Sequence, residues 1–319
     1  MRTPLLAFTL FCCSLTAALG AESAMELKTP TGSLFGTLSE PETGAPAPVV
    51  LIIAGSGPTD RNGNGPVAQL QSNNLKQLAD ALSSAGIASV RYDKRGVAES
   101  VAAATAEADL RFDHFVRDAA DWLAMLGTDK RFSRVGVIGH SEGALIATMA
   151  AQTQRSLSAL VLIAGAGESA GATLRRQLAG RLPATLAARN EEVLKTLEQG
   201  KTVPDAPPEL AALYRPSVQP YLISWIKIQP EQELAKTKAP CLILQGDTDI
   251  QVQVSDAKRL SAAQSRCQLS IVTGMNHVLK QVEADPQQQM ASYGNPSLPL
   301  APEFTRVLVD FLARALGKR

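Results

Sequence analysis

Short runs of apolar residues recur along the chain and alternate with amphipathic stretches. The runs are four or five residues long and rich in β-branched side chains, which is typical of strands buried on both faces of a sheet. They occupy Val49–Ile53, Ala88–Tyr92, Val135–Ile138, Leu160–Ile163, Cys241–Leu244 and Leu269–Val272. Apolar positions recur at helical spacing over 75–82, 112–126 and 304–312. The alternation predicts an α/β fold, with a mostly parallel central sheet and helices on both faces.

Two stretches depart from this alternation. Residues 27–38 alternate around Pro30-Thr31-Gly32 and predict a hairpin at one edge of the sheet. Residues from about 168 to 238 contain no strand pattern and combine Ala, Leu, Arg and Pro at helical spacing. Because ligands bind at the carboxyl ends of parallel strands, a helical insertion after such a strand is predicted to form a cap over the site. The alternative is an insertion that lies on the surface and does not cover the site.

The first twenty residues have the pattern of a signal peptide. Arg2 precedes an apolar run from Leu5 to Leu19, and the small residues Ala18 and Gly20 form a plausible cleavage site. We therefore expect residues 1–20 to be removed and the protein to be exported, either to the periplasm or to the medium. An uncleaved anchor is disfavoured because a spanning helix needs about 20 apolar residues. No integral membrane span is expected in residues 21–319.

Composition indicates one large globular domain over residues 21–319. Hydrophobic residues make up 45% of the 319 residues and charged residues 19%, which excludes a disordered chain. The 31 basic and 30 acidic side chains leave a net charge of +1. Since there is no basic surplus, we expect no nucleic-acid partner. The oligomeric state cannot be derived from these numbers.

The four cysteines fall into two pairs. Cys12 and Cys13 lie in the predicted signal peptide, so Cys241 and Cys267 would remain in the processed chain. Both begin predicted strands that are separated by one helix, and a right-handed crossover would place them at the same edge of the sheet. An exported protein could keep a disulfide between them. Two separate buried thiols are an equally good interpretation.

A candidate nucleophile follows the predicted strand Val135–Ile138. The sequence Gly139-His140-Ser141-Glu142-Gly143 abuts this strand and opens a helix, which is the context of a nucleophile elbow. The two glycines suit a turn in which bulky side chains would clash. A second match surrounds Ser169, but that serine lies six residues beyond the preceding strand and is disfavoured.

A serine nucleophile needs a general base, and the chain has only three histidines. His140 adjoins the serine in sequence and is expected to point elsewhere, while His114 lies on an amphipathic helix. His277 follows the strand Leu269–Val272 and is the predicted base. Asp247 and Asp249 follow another strand, and either could orient the imidazole. No cluster of His, Cys or carboxylate residues accompanies these aspartates, so neither a metal nor a cofactor is expected.

Two further groups are predicted to surround Ser141. The oxyanion of a tetrahedral intermediate needs fixed N–H donors, for which the main chains of Glu142 and Ser56 are the candidates. Ser56 lies in a glycine-rich loop after the strand Val49–Ile53. In the predicted cap, Tyr221 and Trp225 lie four residues apart on an apolar helix. We expect them to bind substrate by lining an acyl pocket, although packing against the sheet domain is the alternative.

Together these motifs resemble the α/β-hydrolase superfamily. The chain is similar to its serine-aminopeptidase-like and dienelactone-hydrolase-like branch of exported bacterial esterases in the loop 55–61, the turn 92–96 and the pair 276–277. In that branch the acid usually takes the fourth position of Gly-x-x-Asp, which points to Asp249. Ala54 departs from the His-Gly start that is common in the oxyanion loop.

The resemblance implies a serine hydrolase that cleaves small-molecule carboxylic esters through an acyl-enzyme intermediate on Ser141, Asp249 and His277. A peptidase, or an acyltransferase or thioesterase, on the same triad is the alternative. The alternative from another functional class is a binding protein that retains the fold without catalysis. Such a protein need not keep all three triad residues, whereas this sequence contains them.

Overall fold

The computed structural model describes residues 20–42, 46–67 and 69–317. Of the predicted signal peptide, only Gly20 belongs to the described residues. Cys12 and Cys13 therefore also lie outside the described residues. Among the described helices, none combines the length and the apolar character that crossing a membrane requires.

The described residues form eight strands: β1 Glu22–Thr29, β2 Gly32–Ser39, β3 Ala47–Ile53, β4 Ala88–Tyr92, β5 Phe132–His140, β6 Ala159–Ile163, β7 Cys241–Gly246 and β8 Cys267–Val272. They lie in one sheet, in the order β1-β2-β4-β3-β5-β6-β7-β8. The first two strands form the predicted edge hairpin, and the second pairs antiparallel with β4. All remaining pairs are parallel.

Eleven α-helices connect and cover these strands in the described part of the chain. Six lie outside the predicted cap: α1 Asn74–Ser84, α2 Phe112–Thr128, α3 Glu142–Ala151, α9 Val254–Ala263, α10 Pro286–Tyr293 and α11 Pro302–Leu316. Five lie within it: α4 Ala170–Leu178, α5 Ala184–Glu198, α6 Ala211–Tyr214, α7 Gln219–Trp225 and α8 Pro230–Ala235. Segment 168–238 thus contains helices and no strand, as its composition predicts.

The core consists of two apolar layers, one on each face of the sheet. Alternate residues of β3 point to opposite layers, with Leu51 in one and Ile52 in the other. The first layer packs against α2 and α3, and the second packs against α1 and α11. This arrangement confirms the predicted α/β architecture and explains why the central strands are continuous apolar runs.

A disulfide joins Cys241 and Cys267. These residues face each other directly in the parallel pair β7–β8, with a Cα–Cα distance of 4.3 Å. Of the two interpretations open from the sequence, the disulfide is therefore confirmed. The bond links the edge strand β8 to its neighbour at the amino-terminal ends of both strands.

Candidate active site

Ser141 occupies a strained turn between β5 and α3. Its backbone φ and ψ angles are 56° and −121°, a combination that residues other than glycine rarely adopt. A Cβ on Gly139 would lie 2.1 Å from the carbonyl oxygen of Gly143, and one on Gly143 would lie 2.4 Å from that of Ile53. Only glycine fits at these two positions, so the turn is the elbow that the sequence predicts.

His277 and Asp249 meet beside this turn. Nδ1 of His277 and Oδ2 of Asp249 lie 2.8 Å apart, and both side chains are buried. Asp249 Oδ1 accepts the main-chain N–H groups of Gln251 and Val252. The carboxylate of Asp247 instead accepts the N–H of Gly274 at 2.7 Å. Of the two aspartates that the residue pattern allows to orient the imidazole, only Asp249 contacts it.

The carboxylate of Asp249 is held in its charged form. Burial by itself would raise its pKa, but the charge and hydrogen bond of His277 and two main-chain N–H groups outweigh burial and lower the pKa. A charged, buried acceptor fixes the orientation of the imidazole and would stabilise an imidazolium.

His140 belongs to the site, contrary to the expectation that it points elsewhere. Its Nε2 lies 2.8 Å from the main-chain oxygen of His277, and it lines the same cavity as Ser141. Burial, and then the charge of His277, lower the pKa of His140 to about 4. At neutral pH this neutral ring donates its Nε2 proton to the His277 carbonyl and thereby holds the loop that carries His277.

The residues of both predicted oxyanion donors lie at or next to the elbow. A Cβ on Gly55 would lie 3.1 Å from Cβ of Ser141, so the loop that carries Ser56 touches the elbow. No described residue accepts a hydrogen bond from the Ser56 N–H. The Glu142 N–H is the first of α3, and such groups have no partner within a helix. One N–H group without a described partner therefore follows Ser141 directly, and another lies in the loop that touches the elbow.

A cavity of about 210 Å³ opens over Ser141 and is lined by His277 and Ser56. Its other walls come from the segment 55–74 and from residues that follow β7 and β8. The polar and apolar side chains among them include Leu70, Asn74, Gln251 and Tyr293. No described residue forms a hydrogen bond with the Ser141 hydroxyl, which lies open to this cavity. Catalytic hydrogen bonds are often long without substrate.

The structure places Tyr221 and Trp225 differently from the expectation that they line the acyl pocket. No residue of 168–238 contributes to the cavity over Ser141. The Trp225 ring stacks on Phe112 of α2, with centroids 5.7 Å apart, and the Tyr221 hydroxyl donates to the carboxylate of Glu142. The apolar face of α7 thus packs on the sheet domain, the alternative that the sequence left open.

Ser169, the second serine in a Gly-x-Ser-x-Gly pattern, has a structural contact. Its hydroxyl caps α4 by accepting the N–H of Ala172 at 3.3 Å. It does not line the cavity over Ser141.

Comparison with known proteins identifies the family. A family model described as serine aminopeptidase, S33, matches residues 69–284. The chain belongs to this serine aminopeptidase family. The match includes Ser141, Asp249 and His277, whereas Ser56 precedes it.

An esterase and several solved structures are similar to this S33 family member. Esterase EstD from Thermotoga maritima is 28% identical over 263 residues, which cover 81% of this chain and 61% of EstD. The chain thus spans less than two thirds of that relative's length. Est1E from Butyrivibrio proteoclasticus matches with a TM-score of 0.59 at 17% identity, covering 92% of this chain and 99% of Est1E. The Pyrococcus furiosus esterase Pf2001 also gives 0.59 at 17% identity, covering 94% and 92%. These structural matches show a shared α/β-hydrolase fold.

Proposed function

We propose that the protein hydrolyses small carboxylic esters with Ser141 as nucleophile, His277 as general base and Asp249 as the acid that orients it. The observation that carries this proposal is that His277, paired with the buried Asp249, lines the same cavity as a serine on a strained elbow. Nearby N–H groups without partners supply what a tetrahedral intermediate requires. The named esterases among its relatives agree with this reaction.

The proposed reaction uses these groups in turn. His277 Nε2 takes the Ser141 proton as Oγ attacks the acyl carbon, and the oxyanion receives the N–H groups of Ser56 and Glu142. The imidazolium then gives its proton to the departing alcohol, leaving an acyl-enzyme. Water repeats the sequence and releases the acid. Asp249 remains ionised throughout and stabilises the charged ring.

An ester fits the cavity better than a peptide with a free amino terminus. An aminopeptidase needs a group that binds the substrate ammonium, and a carboxylate suits this best. Among the described residues that line the cavity, no side chain is acidic. Its volume of about 210 Å³ is below the range of about 300–1,000 Å³ that is usual for drug-sized ligands, so we propose short acyl groups.

We also propose that the protein is exported. Its supports are the apolar amino-terminal segment and the disulfide, because disulfides persist mainly in oxidising compartments.

The nucleophile can be tested directly. A fluorophosphonate probe should label Ser141, and p-nitrophenyl acetate should be hydrolysed by the wild type. Ser141→Ala should lose both activities and remain folded, whereas the matched Ser169→Ala should retain both. Labelling of Ser169, or no ester turnover by the wild type, would contradict the proposal. An aminoacyl p-nitroanilide assayed beside the ester distinguishes the peptidase.

A further inference from the structure

A buried ion pair lies beneath the candidate active site. Nζ of Lys94 is 3.0 Å from Oε2 of Glu142, and each side chain is 2% exposed. Removing two charges from water is costly, and their attraction often does no more than offset that cost. Stability therefore does not explain why a lysine and a glutamate are buried at this position.

The lysine also holds the predicted oxyanion loop. Its Nζ donates to the main-chain oxygen of Gly55 at 2.5 Å. The C=O of Gly55 and the N–H of Ser56 belong to one planar trans peptide group, in which they point in opposite directions. Fixing the oxygen on Lys94 therefore fixes the direction of the Ser56 N–H, the first proposed oxyanion donor.

The same ammonium is connected to the second donor. Glu142 supplies the other N–H through its main chain, and its carboxylate binds Lys94 on one oxygen. The other oxygen accepts the hydroxyl of Tyr221 from α7. Burial and the adjacent Glu142 carboxylate hold the pKa of Tyr221 well above its usual range, so the phenol remains a donor. Both oxyanion donors are thus linked through one buried cation.

We propose that Lys94 is a positioning residue that aligns the Ser56 and Glu142 N–H groups for the transition state. The inference rests on the proposed ester hydrolysis. The charge of Lys94 beside the Gly55 oxygen also polarises the Gly55–Ser56 peptide group, which makes the Ser56 N–H a stronger hydrogen-bond donor. Tyr221 of α7 completes this hydrogen-bond network by donating to Glu142. It therefore supports the oxyanion donors and does not bind substrate.

The test is a double variant, Lys94→Met with Glu142→Gln, which removes the ammonium without leaving an unpaired buried charge. Loss of one oxyanion donor costs about 10²- to 10³-fold in kcat, so misalignment should lower kcat by about 10- to 100-fold. KM for p-nitrophenyl acetate should change by less than about threefold, because these contacts form in the transition state. Binding of phenylboronic acid, which forms a tetrahedral adduct on the serine, should weaken by the same factor as kcat.

A matched control separates positioning from general stability. Arg95, the residue next to Lys94, forms another buried ion pair with Asp118. This second pair does not contact the Gly55 oxygen. Arg95→Met with Asp118→Asn should lower the melting temperature and leave kcat within about threefold of wild type. If both double variants lose kcat equally, or if the Lys94 variant is folded and keeps wild-type kcat, the inference is overturned.

A second substitution keeps the test decisive if the double variant does not fold. Lys94→Gln, combined with Glu142→Gln so that no unpaired buried charge remains, retains a donor for the Gly55 oxygen but no charge. Its kcat should fall by about 3- to 10-fold with KM preserved. Wild-type kcat in a folded enzyme that carries both Lys94→Gln and Glu142→Gln would then overturn the inference. Failure of the proposed function itself is distinct, because the wild type would then hydrolyse no ester at all.

Discussion

Asp249 and Asp247 lie two residues apart, yet only Asp249 reaches His277, at 2.8 Å. Asp247 accepts the N–H of Gly274 and so supports the loop that precedes the histidine. The two carboxylates therefore offer a matched pair of substitutions in one loop.

Asp249→Asn should lower kcat by about 10³- to 10⁴-fold, because an amide in place of the carboxylate favours the wrong tautomer of the base. Asp247→Asn should cost less than about tenfold, since it weakens only a loop contact. Steady-state kinetics with p-nitrophenyl acetate measures both effects. The reverse ranking would assign the acid to Asp247.

His140 should make the folded protein less stable in mild acid. Its pKa is about 4 in the folded state and near 6.5 when unfolded, so the unfolded chain binds more protons between these values. The free energy of unfolding should therefore fall as the pH decreases from 6.5 to 4, by about 3 kcal/mol from this group. Urea unfolding of the wild type and His140→Gln at pH 7 and pH 4 isolates the contribution. An identical pH dependence in both proteins would contradict it.

Removing the disulfide should affect stability and spare catalysis. The chain-entropy model gives about 3 to 4 kcal/mol for a loop of this length, here a sequence separation of 26 residues. Cys241→Ala with Cys267→Ala should lower the free energy of unfolding by that amount, with kcat unchanged at 25 °C. Alkylation of the unreduced wild type should modify neither cysteine, and two modified thiols would show that the bond is absent.

Acyl-chain preference should depend on Leu70 and not on Trp225. Leu70 lines the cavity and is 40% exposed, so Leu70→Ala should open space for longer chains. At about 0.8 kcal/mol for each CH₂ group, two more buried groups would raise kcat/KM for the octanoate relative to the acetate by about tenfold.

Trp225→Ala is the control for Leu70→Ala. It removes the stacking on Phe112. Because Trp225 is only half-buried, the loss of stability should be about 2 kcal/mol, less than the about 3 to 5 kcal/mol for a fully buried tryptophan, with an unchanged chain-length profile. Hydrolysis of p-nitrophenyl esters from acetate to octanoate, with melting temperatures, measures both. A changed profile in the Trp225 variant alone would return that residue to the substrate pocket.

Much of the fold could be predicted from the sequence because buried parallel strands are continuous apolar runs. Val49–Ile53 and Leu160–Ile163 show this pattern, and both are central strands of the sheet. Ser141 could be predicted because the elbow requires glycine at 139 and 143, and His277 because few histidines compete with it.

Other parts of the site depend on long-range packing that no local pattern specifies. The turn of the chain between β7 and α9, and not residue chemistry, decides which aspartate faces His277. Tyr221, one of the two partners of the Glu142 carboxylate, lies 79 residues away on α7. An apolar helix with a tyrosine therefore gives the same sequence pattern whether it lines a substrate pocket or makes a core contact. For His140, its place next to the nucleophile was the available signal.

The disulfide joins the amino-terminal ends of β7 and β8. The carboxyl ends of the same two strands lead to Asp249 and His277. β7 has six residues, of which Cys241 is the first, so the bond lies roughly 17 Å from the carboxyl end of the strand, where the loop with Asp249 begins. An outermost strand with one neighbour is where a sheet opens first, and here that opening would part the acid from the base. Because the covalent link opposes such opening, we expect heat inactivation to coincide with global unfolding, and reduction to create a range of temperatures in which a still compact protein has lost its activity.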